Sequence, residues 1–236
     1  MKSRAVKKDT ELPFVFMNMA MTADGKIASM NGSVSSFGSP RDQAHLYELR
    51  AQADAVLCGA RTVEKEGATL GPGGPTFQRR RLQNGLAEFN LRVVVSGSGS
   101  INPSTDIFKA RFSPIIILAS GRISPTRLRR LSRVADEVKI IGESEIDFRE
   151  AFAWLRAKWS VKRLLCEGGG TVNDALFRAG LVDQIHLTIC PKIFGGRRAP
   201  TIADGPGFDR LNLAKQFQLD SATQINSELF TVFSKR

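Results

Sequence analysis

The chain is poor in several features that would define a function quickly. It has 3 cysteines, 2 histidines, 2 tryptophans and 1 tyrosine in 236 residues. Three cysteines cannot all pair. Cys58, Cys166 and Cys190 each lie within or at the end of an apolar run, and none belongs to a CxxC or a Cys/His cluster. This excludes a disulfide scaffold and a structural zinc centre, and predicts buried free thiols in a reducing, cytoplasmic setting. His45 and His186 lack metal-ligand spacing, so no metal site is expected. The longest apolar run, Ile115-Ile116-Ile117-Leu118-Ala119, is strand-sized, well short of the roughly 18–20 residues of a membrane span. The basic N-terminus is followed by no apolar segment and small-residue cleavage site, so no secretory leader is expected. With 21 glycines, 10 prolines and 42% hydrophobic residues, the chain is neither low-complexity nor disordered.

Acidic residues are also scarce. Lys and Arg number 34 against 23 Asp and Glu, a formal charge of +11. Such an excess favours anionic partners without naming them. The basic residues are scattered apart from short clusters at Arg79-Arg80-Arg81 and at Arg127, Arg129 and Arg130. No zinc finger, RNP motif or basic stripe interleaved with aromatics accompanies them, so a nucleic-acid partner is not expected.

Strand-type and helix-type segments alternate. Apolar runs at 13–21, 54–58, 91–95, 114–119, 137–141, 163–166, 184–190 and 229–233 predict strands. Ser39-Pro40 with Asp42 opens a helix, Ser as N-cap and Pro in its first turn. Further helices are expected from near Thr62, over 126–134 and 148–158, and after Gly170. The Gly/Pro/Arg-rich stretch 67–85 predicts a long loop, at a length usually reserved for functional or unstructured segments. The expected fold is α/β, with a mostly parallel central sheet flanked by helices and antiparallel C-terminal edge strands. Residues 1–12 are expected to be a basic disordered tail and 13–236 a single domain.

The most informative motif is Cys166-Glu167-Gly168-Gly169-Gly170-Thr171-Val172-Asn173, a strand end, a glycine turn and a helix start. Glycine admits a ligand close to the backbone, helix-start N–H groups attract anions, and open α/β sheets place ligands beyond strand carboxyl ends. It matches neither GxGxxG nor a P-loop. Glu167 suits hydrogen bonding to a polar organic ligand better than phosphate binding. Gly59-Ala60-Arg61-Thr62 and Val95-Ser96-Gly97 repeat the strand-end pattern more weakly; together the three fit one extended anionic cofactor. Arg50, His45 and Asp24-Gly25-Lys26 read by themselves as exposed helix residues and a turn. No nucleophile–base pair or carboxylate dyad stands out.

In this order the motifs resemble the riboflavin-pathway pyrimidine reductases, comprising the reductase domain of the bifunctional deaminase-reductase and its stand-alone relatives. The resemblance rests on MNMAMTADGKIA (17–28), HLYELRAQADAVLCGARTV (45–63), LLCEGGGTVNDALFRAGLVDQIHLTICPKIFGG (164–196) and APTIADGPGF (199–208). It implies a dihydrofolate-reductase-like fold, a homodimer and NADPH-dependent reduction of the ribose of a ribosylamino-pyrimidine 5′-phosphate. It places Ala20, Thr62, Glu66, Ser96, Gly168, Gly169, Gly170, Thr171, Val172 and Asn173 at the cofactor. Arg50, Glu167, Leu70, Ser35 and Ser36 fall on the substrate side, with Arg50 at the phosphate and Glu167 at sugar hydroxyls. The chain departs from the family at Met19, where the bacterial form often has Lys, and over Glu66–Pro72, which lacks an arginine; Arg79–Arg81 offers that charge instead. The alternatives are a reductase of the same fold with another substrate, and a non-catalytic ligand- or nucleic-acid-binding protein.

Overall fold

Alternation of apolar side chains along each strand generates two cores. In a computed structural model, residues 11–31 and 37–236 are described. Val15, Met17 and Met19 of β1 (Phe14–Thr22) face one core with Leu57 of β2 (Ala55–Gly59), Val93 of β3 (Leu91–Val95) and Leu118 of β4 (Ile115–Ala119). Phe16, Val56, Val94 and Ile117, each one residue out of phase, face the other. Strands buried on both faces need helices on both faces. The first core is covered by α6 (Phe148–Trp159) and α7 (Gly170–Arg178), the second by α1 (Pro40–Arg50), α2 (Ala60–Glu66) and α5 (Pro125–Leu131).

Nine strands form one sheet in the order β5-β4-β3-β2-β6-β1-β7-β9-β8. β5 (Glu137–Ile140), β6 (Arg163–Cys166) and β7 (Gln184–Cys190) join β1–β4 in parallel register, whereas β9 (Glu228–Lys235) and β8 (Phe217–Ile225) run antiparallel at one edge. The expected mixed sheet is present. β8, however, is absent from the sequence-based expectation. It is exposed along nearly its whole length, and the register shifts between Leu219 and Ser221, so Asp220 breaks the period-two pattern.

The expected loop 67–85 is also corrected. It contains α3 (Pro75–Gln83), started by Pro75 in the first turn after Gly74. Arg81 is buried and donates to the carbonyls of Arg50 (2.6 Å), Ala53 (2.7 Å) and Ala87 (2.8 Å). It closes the C-terminal end of α1, where the carbonyls lack helical partners, and burial lowers its pKa to about 10. Arg81 is therefore a structural clamp and is not free to offer charge to a ligand. A further short helix, α4 (Asp106–Lys109), also lies outside the expected pattern. The three cysteines are buried and free as expected. Most of the expected basic tail lies outside the described residues, but Leu12 already packs against the first core.

Candidate active site

Strands β3, β2, β6 and β1 are consecutive in the sheet, and their carboxyl ends open into a cleft of about 1390 Å³. This is where an open α/β sheet places its ligand. One wall is built from backbone. The β6–α7 turn bonds to the end of β2 through the Gly59 N–H and the Gly168 carbonyl (2.7 Å), and Gly168–Gly169 is a cis peptide. Gly169 donates its N–H to Thr62 Oγ1 at 3.3 Å. A Cβ on Gly169 would meet that oxygen at 2.9 Å, and one on Gly170 would meet Asp204 Oδ2 at 2.6 Å. The helix expected from near Thr62 starts at Ala60 with Gly59 as its N-cap, so Thr62 lies inside its first turn. The Thr62 hydroxyl fixes the β6–α7 turn.

Ala20, Thr62, Glu66, Ser96, Gly169, Gly170, Thr171 and Val172 all border the cleft, as do Arg50, Glu167 and Leu70. Two expected contacts do not. Gly168 is buried behind the turn, with Met19 Sδ and the Asn173 side chain packed around its Cα. Asn173 is 0% exposed, and its amide donates to Ile202 O at 2.8 Å, tying the 199–205 loop over the start of α7. In this structure its side chain is committed to that loop rather than turned into the cleft. Ser35 and Ser36 lie outside the described residues.

The most consequential rearrangement concerns Arg50 and Glu167, which the sequence assigned separately to a ligand. They grip each other in a bidentate pair, Arg50 Nε to Glu167 Oε1 and Nη2 to Oε2, both 2.6 Å, while Nη1 donates to Gly71 O at 2.6 Å. Arg50 is only 8% exposed. A planar guanidinium suits this two-point contact, and the pair ties α1 to the end of β6. Beside it, Glu66 is exposed as a residue. Even so, desolvation of its carboxyl by the cleft wall, with Glu167's charge adding, pushes its pKa up to about 7 against the pull of Arg50.

The cleft also has cations to which sequence reasoning gave no role of their own. Lys26, Arg61, Lys65, Arg197 and Arg198 all border it, and among the described residues Arg197 and Arg198 have no ion-pair partner. The signal for the last two was the doubled arginine directly after Gly195-Gly196. His45, expected on the exposed face of its helix, instead packs against His186 and Phe230 at ring separations of 5.5 and 5.7 Å. Burial lowers the pKa of both histidines, that of His186 to about 4. No group of side chains among the described residues could hold a metal ion. None of the described helices is long and apolar enough to cross a membrane.

The fold and cleft define a doubly wound α/β protein with its site across the carboxyl ends of the central strands, in the dihydrofolate-reductase-like architecture. Dihydrofolate reductase from Enterococcus faecalis superimposes with a TM-score of 0.53 at 13% identity, covering 94% of this chain and 96% of that one; this likeness is one of fold alone. A pyrimidine reductase-like protein from Corynebacterium diphtheriae superimposes with a TM-score of 0.82 at 23% identity, over 95% of this chain and 92% of that one. The chain belongs to the RibD C-terminal domain family, whose profile matches residues 13–230. It is 31% identical, over 94% of its length and 98% of the relative's, to the 2,5-diamino-6-ribosylamino-4(3H)-pyrimidinone 5′-phosphate reductase of Methanothermobacter thermautotrophicus. It is 32% identical to the enzyme of the same name from Archaeoglobus fulgidus, over 83% and 88% of the two chains.

Proposed function

We propose that the chain is an NADPH-dependent reductase of a ribosylamino-pyrimidine 5′-phosphate in riboflavin biosynthesis, converting the ribosyl group to ribityl. The observation that carries this reading is the cleft of about 1390 Å³ at the central strand ends. It exceeds the roughly 300–1,000 Å³ of an ordinary small-molecule pocket and so has room for a dinucleotide and a second substrate. Family membership and the named relatives support the same reading.

The residues present fit the cofactor. The start of α7 borders the cleft at Gly170 and Thr171, where helix-start N–H groups and the helix dipole favour a diphosphate. Ser96 and Thr62 add hydroxyls, and Arg61 and Lys65 on α2 add charge suited to a further phosphate. A bound nicotinamide dinucleotide supplies the hydride. Glu66, its pKa raised to about 7, holds a proton near neutrality and so spares the cofactor anion its full repulsion. Arg50 orients the Glu167 carboxylate towards the sugar hydroxyls. Because that pairing offsets Arg50's charge, Arg197 and Arg198 take over the substrate phosphate. Holding donor and acceptor carbons together in the cleft accounts for most of the rate such a site can supply.

The decisive assay is pyrimidine-dependent oxidation of NADPH by the purified full chain. The phosphorylated ribosylamino-pyrimidine is expected to turn over. Replacing Arg197 and Arg198 with Ala is expected to raise its KM about tenfold, as for loss of charge-assisted hydrogen bonds, with the KM for NADPH unchanged. No oxidation with any ribosylamino-pyrimidine would refute the assignment.

The long exposed edge strand β8 would pair with a second copy of the chain, giving the homodimer. The buried free cysteines suit a reducing cytoplasm.

A further inference from the structure

The turn Asp24-Gly25-Lys26, just past the carboxyl end of β1, has no role in the assignment above. It holds one side of the segment 192–204, which follows β7 and brings Arg197 and Arg198 to the cleft. The Asp24 carboxylate accepts the Gly195 N–H on Oδ2 (2.7 Å) and the Phe194 N–H on Oδ1 (3.2 Å). The buried Thr22 hydroxyl donates to the same Oδ1 at 2.5 Å. Lys26 donates from Nζ to Ala199 O at 3.1 Å, and the Ile27 N–H donates to Pro200 O at 2.9 Å.

The other side of the segment is held at the start of α7, where Gly170 O accepts the Asp204 N–H (2.9 Å) and Asn173 donates to Ile202 O (2.8 Å). Between the ties at 194–195 and at 199–200 lie Gly196 and the two exposed arginines. Gly195 and Gly196 take φ of +63° and +80°, the left-handed region that favours glycine. Two adjacent glycines have the widest backbone freedom, so a turn made of them needs an outside anchor to point one way. Asp24 is that anchor. Hydrogen bonds to an ionised acceptor are about twice as strong as neutral ones, and two successive N–H groups on one carboxylate fix the direction of the chain. The Thr22 hydroxyl, with the two N–H groups adding, holds the Asp24 carboxyl below the usual carboxylate range against desolvation.

We propose that Asp24 is a positioning residue for the substrate phosphate: it fixes the Gly195-Gly196 turn and so pre-orders Arg197 and Arg198 at the cleft. This rests on the reading that those arginines hold the phosphate. Asp24 acts from behind the cleft lining, to which Lys26 and Ile27 belong. Its own charge repels a phosphate, so whatever binding it adds comes through the arginines. Ordering them before the ligand arrives removes that cost from binding. The two effects have opposite signs. On charge alone, Asp24→Asn would tighten the phosphorylated substrate; through the turn, it loosens it.

The test is steady-state kinetics of the full chain with NADPH and the ribosylamino-pyrimidine 5′-phosphate, in the wild type, Asp24→Asn, Gly195→Ala and Arg197→Ala with Arg198→Ala. The ribitylamino product, with and without its 5′-phosphate, serves as inhibitor. Asp24→Asn is expected to raise the substrate KM about tenfold, with kcat and the KM for NADPH within about twofold. The inhibition constant should rise about as much for the phosphorylated product and stay unchanged for the dephosphorylated one. In the background lacking both arginines, Asp24→Asn should add less than about twofold. Gly195→Ala meets nothing within 4 Å at its Cβ and strains only the backbone. It should show the same pattern, and it decides the matter if Asp24→Asn does not fold. An unchanged or lowered KM in the folded variants overturns the inference, as does equal weakening of both products. In those cases the reductase assignment stands. If removing both arginines leaves the KM unaltered, the phosphate reading falls and the inference with it. A wild type that oxidises no NADPH overturns the reductase assignment itself.

Discussion

The two walls of the cleft are built on different principles. The wall formed by the β6–α7 turn, the start of α2 and the end of β3 has backbone at its centre, with glycines where a side chain would collide and the α2 and β3 side chains around them. The wall formed by β1 and α1 is made of side chains, Asn18, Asp42 and Arg50 among them, and the 197–204 loop, tied over the start of α7, brings Arg197 and Arg198 to the cleft. A backbone wall suits a ligand that many proteins share, because N–H groups and helix dipoles recognise phosphate generically. A side-chain wall can be changed one residue at a time and suits the partner that differs between relatives. Arg50 and Glu167 join the two, one residue from each.

Breaking that joint should have the largest effect. Arg50→Ala strands the Glu167 carboxylate, whose side chain is 11% exposed, and the expected loss of stability is about 3–5 kcal/mol, read from urea unfolding. Removing both charges together, Arg50→Met with Glu167→Gln, should recover most of it. If Arg50→Ala unfolds at the wild-type urea concentration, the pair does not join the walls. Next in size is a change to the backbone wall. Gly169→Val puts carbon where Thr62 Oγ1 sits 2.9 Å from the Cβ position. The resulting overpacking of about 1–3 kcal/mol should weaken NADPH binding roughly tenfold to a hundredfold. Fluorescence titration would detect it, and unaltered affinity would take the turn out of the site.

The smallest effect concerns pH. The Glu66 carboxyl is raised from the usual carboxylate range to about 7, so it is protonated below that pH and ionised above it. NADPH affinity should therefore fall as pH rises through 7, by roughly two- to fivefold for so exposed a charge. Glu66→Gln should flatten the step. A step of the same size in that variant would belong to another group.

The backbone wall was the legible one. Cys166-Glu167-Gly168-Gly169-Gly170 marks a strand end, a turn and a helix start because only glycine tolerates such close approach, and that constraint is local. The strand and helix alternation was legible for the same reason, since side-chain period reports burial directly. Where local signals were mixed, the expectation failed. The glycines and prolines of 67–74 hid the helix start at Pro75, and the shift beside Asp220 hid β8. The side-chain wall left almost no trace in the sequence. Asn18 reads as a polar interruption of an apolar strand, and Asp42 as an ordinary first-turn acid of a helix.

What the sequence determined by itself was therefore whatever depends on neighbours along the chain: the element order, the two-faced strands and the glycine turn. Tertiary structure decided the pairings between distant residues. Arg50 and Glu167 are 117 positions apart, and only the stacking of β6 beside β2, with α1 across the sheet, brings guanidinium and carboxylate together. The same holds for Arg81, whose spacing suggests a surface cation until the end of α1 is packed against it. Charge and hydrogen-bond partnership depend on distance in space, and a linear sequence does not carry that distance until the sheet order is known.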